Sequence, residues 1–146
     1  MLTVIEKVIA LQNVEVFSEV STEQLSHLAV IAEEITCEAD ETLYQESDPP
    51  DAMYLVLEGR VRMHRNEIDV TIAESGDVFG TWALFDDEPM VATATPMEFT
   101  RLLRIDKDNF IDLLGEYVQI TQGVLKAMVK RLRGLWGRVQ TDGQGK

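Results

Sequence analysis

Apolar residues recur along the chain with two different periods, and the change of period divides it into three stretches. In LTVIEKVIAL, Leu2, Ile5, Val8 and Ile9 fall at helical spacing and predict an amphipathic helix. After NVEVF, Ser21 and Gln24 have the spacing of a capping box, and Leu25, Leu28, Ala29 and Ala32 form one stripe, so a second helix is expected. From Ile35 to Ile105 the texture becomes short β-like runs: ITCE, ETLYQE, AMYLVLEG, RVRMHR, IDVTIAE, DVFG, VATATPM and FTRLLRID. Turn chemistry separates them at Ser47-Asp48-Pro49-Pro50, Asn66-Glu67, Ser75-Gly76-Asp77 and Asp86 to Pro89. Strands this short, without helical crossovers between them, point to antiparallel pairs in a sandwich or barrel.

Helical spacing returns at about Asp106, with Phe110, Leu113 and Leu114 as apolar positions. A longer helix follows, marked by Val124, Leu125, Met128, Leu132, Leu135, Trp136 and Val139. Gly134 and Gly137 weaken its end, each costing about 1 kcal/mol against Ala. The expected organisation is one domain over 1–140, with helices over 1–33, a barrel over 34–105 and helices over 106–140. Residues 141–146 are expected to form a disordered tail.

Charge narrows the partners. The 146-residue chain carries a net charge of −13, which opposes binding to nucleic acid. Six of its 13 Lys and Arg lie after residue 120, where they suit a solvated helix face. Cys37 is the single cysteine, so no intramolecular disulfide or cysteine cluster can form, as expected of a reducing compartment. No apolar run approaches the ~20 residues that span a bilayer, and Glu6 interrupts the N-terminal stretch. A soluble, cytoplasmic protein without membrane insertion is expected.

The same residues argue against catalysis. His27 and His64 stand apart, whereas metal sites draw together three or four ligands. No nucleophile elbow, P-loop or dinucleotide fingerprint occurs. The acidic runs Glu33-Glu34 and Asp86-Asp87-Glu88 fall at turns or solvent faces, so no enzyme is expected.

The stretch VFGTWALFDDEPMVATAT carries the one candidate site. A Gly before a single helical turn, here Gly80 before Thr81-Trp82-Ala83-Leu84, leaves backbone N–H groups that favour an anion. DAMYLVLEGRVRM has the form of strand, Gly turn at Gly59 and strand, and RLLRIDKDNFIDLL that of a last strand entering a helix. In this order, over about residues 4–135, these segments resemble the cyclic nucleotide-binding domain family, as found in the catabolite activator protein and protein kinase A regulatory subunits. The resemblance implies an α+β fold: an antiparallel β jelly-roll barrel, or double-stranded β-helix, flanked by N- and C-terminal helices. It also implies a phosphate-binding cassette at Phe79, Gly80, Thr81, Trp82, Ala83, Leu84, Met90, Val91 and Ala92.

In that family a Glu near the start of the cassette holds the ribose and an Arg near its end pairs the cyclic phosphate; here those positions hold Thr81 and Met90. Each charge-assisted contact contributes about 1.5–3 kcal/mol, so losing both weakens binding by several orders of magnitude. The N–H groups around Gly80, Ala83 and Leu84 remain as donors, and Met90 is suited to plug the space left by an Arg. Arg60, Arg62, Arg65, Arg101 and Arg104 lie on strands whose alternation points most of them outward. The end of the long helix, Leu132, Leu135, Trp136 and Val139, is a candidate contact with a second copy or a host protein. Three readings stand: a regulatory interaction module with a degenerate pocket, a sensor of cyclic AMP, cyclic GMP or another small ligand through an altered pocket, and a cupin-like enzyme requiring metal. No cofactor beyond such a nucleotide is implied.

Overall fold

Thr3 and Glu6 cap each other: Thr3 Oγ1 accepts from the Glu6 amide and Glu6 Oε1 from the Thr3 amide. This opens α1 (Val4–Gln12), and α2 (Thr22–Ile31) follows a 3₁₀ turn at Glu15–Phe17. The computed structural model describes the backbone of residues 1–144 and the side chains of residues 1–138. Seven strands come next: β1 (Glu33–Cys37), β2 (Ala52–Glu58), β3 (Val61–Arg65), β4 (Ile68–Ala73), β5 (Val78–Phe79), β6 (Thr93–Pro96) and β7 (Thr100–Asp106). The chain closes with α3 (Lys107–Glu116) and α4 (Val118–Gln144). The helix thus continues through Gln144, past residue 140 where its end was expected, while residues 145–146 lie outside those described.

All strand pairings are antiparallel, in two sheets of order β1-β7-β2-β5 and β4-β3-β6. The result is a jelly-roll sandwich with helices at both ends; no strand ladder closes the sheets into a barrel among the described residues. The central pair β2 and β7 is buried on both faces. Met53, Leu55, Leu103 and Ile105 pack on the helices, while Tyr54, Val56 and Leu102 fill the sandwich. An unbroken run such as AMYLVL is what two-sided burial demands.

Three local readings are corrected. The ETLYQE run is not a strand but reaches β6 at a single bridge, Tyr44 with Ala94. Its later amides are taken by side chains instead, Gln45 by Asp48 Oδ2 and Glu46 by Thr93 Oγ1. In α1 the stripe is turned: Leu11 is fully buried, whereas Ile5 is 73% and Ile9 53% exposed. Lys7 Nζ on the carbonyl of Ala32 and Leu2 N on Glu34 Oε1 fix that rotation. In α2, Ser21 caps as expected, yet the return bond is missing and Gln24 Oε1 is buried without a partner.

The helical core holds Phe17, Leu25, Leu28, Phe110 and Ile120, each contributing about 1.5–3 kcal/mol by leaving water. In α4 the inward face is Ile120, Val124 and Ala127, with Leu125 outward. Gly123 sets this face, because a Cβ there would stand 2.8 Å from Val20 Cγ2 and 2.9 Å from the Glu19 carbonyl oxygen.

Gly123→Ala therefore sets helix propensity, worth about 1 kcal/mol in its favour, against a backbone clash that forces α4 outward. The clash is expected to win, lowering the thermal midpoint; a raised midpoint would show that α4 yields freely.

Glu34 supplies a pH test. Hydrogen bonds from Arg101 Nη2 at 2.8 Å and then from the Leu2 amide hold its carboxyl below its ordinary value of 4.5. The stabilisation is fully present above pH 4.5 and fades as pH falls through the depressed folded value. Glu34→Gln is expected to melt below wild type at pH 7, with the gap closing below pH 4.5 in circular dichroism melts.

Candidate functional site

Gly80 joins β5 to a 3₁₀ turn at Thr81–Leu84 through a left-handed backbone, φ 75°. A Cβ at Gly80 would meet the Ala52 carbonyl oxygen at 2.9 Å, so glycine is required by conformation and by space. The turn closes on itself, Ala83 N donating to Gly80 O at 2.9 Å and Phe85 N to Trp82 O at 3.0 Å. Ala83, read above as a free donor, is thereby already satisfied.

Met90 lies opposite. Its amide donates to Asp48 O and its carbonyl accepts from Ser47 N, both at 2.8 Å, which holds the return segment against the Ser47-Asp48 turn. Its side chain is 8% exposed, and Cε comes within 3.7 Å of where a Gly80 Cβ would stand.

Around these residues lies a cavity of about 590 Å³, within the ~300–1,000 Å³ typical of small-molecule sites. Phe79, Gly80, Trp82, Ala83, Met90, Val91 and Ala92 line it, seven of the nine cassette positions. Thr81 and Leu84 do not: Leu84 packs into the helical core. Trp82 is 79% exposed and forms part of the rim. Phe79 stacks on Tyr54 with centroids 5.1 Å apart, and Tyr44 adjoins both. Burial pushes the Tyr44 hydroxyl well above the ordinary tyrosine range, so it lines the cavity as a neutral group.

Tyr44, Met63, Arg65, Val70, Thr71, Asp86, Glu88 and Pro89 complete the lining and were not read from the sequence. Arg65 is the informative one. Its Nε donates to the Val91 carbonyl at 2.8 Å, beside Met90, and it pairs with no carboxylate among the described residues. The other arginines of the sandwich do pair with carboxylates: Arg60, which lies in the turn between β2 and β3 and not on a strand as expected, with Glu98, Arg62 with Asp69, Arg101 with Glu34 and Arg104 with Asp51.

The turn is tied to the helices. Lys107 Nζ bonds the Asp86 carbonyl and Asp87 Oδ1, which holds the Asp87 carboxyl below its ordinary value, and Phe85 sets its ring edge-on to Phe110 at 5.5 Å.

The remaining reactive side chains are accommodated elsewhere. His27 stacks on Tyr117 at 4.0 Å, and His64 sits between Asn66 O and Thr95 Oγ1. Cys37 faces the Thr100 carbonyl, and burial pushes its thiol up to about 11. Among the described residues, no three His, Cys, Asp or Glu are grouped to hold a metal, and no helix is long and apolar enough to cross a membrane. On α4, Leu132, Leu135 and Trp136 are exposed; the side chain of Val139 lies outside the described residues.

Comparison with known proteins accords with this architecture. A family model, the cyclic nucleotide-binding domain, matches residues 34–117. The chain is similar to a CRP-like cAMP-activated global transcriptional regulator of Mycobacterium tuberculosis, 28% identical over 97 residues, 63% of this chain and 43% of that protein. It is also similar to a cAMP-dependent protein kinase regulatory subunit of Dictyostelium discoideum, 28% identical over 124 residues, 80% of this chain and 36% of that one. The chain thus spans less than half the length of either relative. The N-terminal domain of a transcriptional regulator from Streptomyces coelicolor A3(2) superposes with a TM-score of 0.79 at 28% identity, covering 88% of this chain and 93% of that one. The chain belongs to the cyclic nucleotide-binding domain family.

Proposed function

We propose that this domain is a non-enzymatic regulatory interaction module whose cassette has lost the charges that read a cyclic nucleotide. The observation that carries this is Met90, 8% exposed and turned toward Gly80, at the position where the family places its phosphate-pairing Arg. An apolar side chain there fills part of the phosphate space and leaves an incoming anion without its cation. Thr81 cannot replace the Glu that holds a ribose, being shorter and uncharged. Two lost charge-assisted contacts amount to about 3–6 kcal/mol, or roughly 10²–10⁴ in affinity. Cyclic AMP and cyclic GMP are therefore bound weakly or not at all. A second reading, a sensor of a different small ligand through an altered pocket, draws support from the cavity of about 590 Å³ that persists beside Met90.

The interaction surface of such a module is the outer face of α4. Val118, Leu125 and Leu132 recur every seven residues, with Val129 and Trp136 three residues before the next such position in each heptad. All five are about half exposed or more, from 48% at Val129 to 65% at Leu132. This is the a/d seam of a two-stranded coiled coil, and it commits the surface to a second copy of the chain.

Calorimetric titration of the purified domain tests the first part. Neither nucleotide is expected to bind in the micromolar range, and Thr81→Glu with Met90→Arg is expected to gain affinity by roughly 10² or more. Low-micromolar binding by wild type would overturn the degenerate-cassette reading.

Light scattering tests the second. Wild type is expected to be dimeric at micromolar concentration, and Leu125→Glu with Leu132→Glu monomeric with an unchanged far-UV spectrum. A wild-type monomer would assign the seam to a host protein.

A further inference from the structure

Arg65 stands out in a chain with 26 carboxylates against 13 Lys and Arg. Arg60, Arg62, Arg101 and Arg104 each have an acidic partner within 2.8 Å. Arg65 lines the cavity at its solvent-exposed rim instead, its Nε pinned to the Val91 carbonyl and its two Nη groups without a protein acceptor among the described residues. A guanidinium fixed by Nε presents its Nη edge as a preset fork, the geometry that suits a planar oxyanion. The carbonyl that pins it belongs to the residue after Met90, so the positive charge missing from position 90 is present one strand away.

The rest of the lining defines the body of the ligand. Trp82, Phe79, Val70 and Met63 give the cavity flat and apolar walls. Asp86 and Glu88 also reach its lining, and neither pairs with Arg65. One cation in a lining that also contains Asp86 and Glu88 suits a single negative charge better than a dianion.

Resting on the altered-pocket reading, we infer that Arg65 is a relocated anion reader and that the cavity takes a small aromatic monoanion, an aryl carboxylate or its sulfonate equivalent. The ring lies against the apolar wall at Trp82, and the oxyanion accepts from the Nη groups of Arg65. Met90 then forms part of the pocket wall, and its burial is compatible with occupancy.

The probe is 1-anilinonaphthalene-8-sulfonate, with neutral N-phenyl-1-naphthylamine as its uncharged counterpart. In a Trp136→Phe background Trp82 is the sole tryptophan, so energy transfer to the dye reports binding within reach of Trp82, and the Arg65→Gln comparison assigns it to this cavity. The sulfonate dye is expected to bind with such transfer, and Arg65→Gln to weaken it roughly tenfold or more. The neutral dye is expected to bind both proteins alike, and Arg65→Lys to keep an intermediate affinity for the sulfonate. No transfer from Trp82, or equal sulfonate affinity in wild type and Arg65→Gln, would overturn the assignment. Displacement separates the anions: 1-naphthoate is expected to compete better than 1-naphthyl phosphate, and the reverse order would overturn the monoanion. Cyclic AMP reports on the other proposal alone. Displacement by low-micromolar cyclic AMP would remove the degenerate-cassette reading, while the Arg65→Gln comparison still decides the anion reader.

Discussion

The ladder between β2 and β7 is the constraint from which the rest of the molecule follows. Its five-residue register from Ala52–Asp106 to Val56–Leu102 is unbroken, and both faces are covered. One face takes Met53, Leu55, Leu103 and Ile105 into the helical core, the other takes Tyr54, Val56 and Leu102 into the sandwich. A sheet buried on both sides cannot shift register by one residue without exchanging the two sets. That rigidity reaches the site, because Gly80 is seated against the carbonyl of Ala52 at the start of β2 and Phe79 pairs with Tyr54. The cassette turn has a fixed floor.

Much of this was legible because period and burial agree. The continuous AMYLVL run announces a strand covered on both sides, and of the nine positions expected to form a cassette around the Gly80 turn, seven line one cavity. Where reading failed, a side chain had taken over a backbone task. Asp48 and Thr93 occupy amides of ETLYQE, and Lys7 and Glu34 turn α1, effects that no hydrophobic period records. The inner face of α4 depends on the close approach at Gly123, visible only once Glu19 and Val20 are placed. Arg65 is different, for its signal was present. It shares parity with Val61 and Met63, the buried residues of β3, which places it on the cavity side of the strand, although at the strand's end it is itself exposed to solvent.

The charge distribution gives that parity its meaning. Exposed ion pairs such as Arg60–Glu98 and Arg62–Asp69 contribute little to stability. Their effect is on where positive charge remains available. With each neighbouring guanidinium neutralised by an adjacent carboxylate, the local field near the cavity is set by Arg65 against Asp86 and Glu88. An acidic protein can therefore keep one anion-attracting spot while its surface repels polyanions at longer range, where ~8 Å screening already weakens both effects.

The four-residue turn after Gly80 belongs to both cores at once. Ala83 lines the cavity, the next residue Leu84 is buried among the helices, and Phe85 meets Phe110 edge-on. Lys107, one residue after the α3 cap at Asp106, grips the carbonyl of Asp86 just beyond. Adjacent residues of one short turn thus belong to the cavity wall and to the helical core, which places the wall in direct packing contact with α3. The α3–α4 junction follows directly, Thr121 Oγ1 bonding the Leu114 carbonyl across it. The apolar seam of α4 begins three residues before Thr121, at Val118. The cavity and the seam proposed on α4 are thus joined by a contiguous path of packed and hydrogen-bonded groups, from Leu84 and Phe85 against the helices through Lys107 at the start of α3 to Thr121 at its junction with α4.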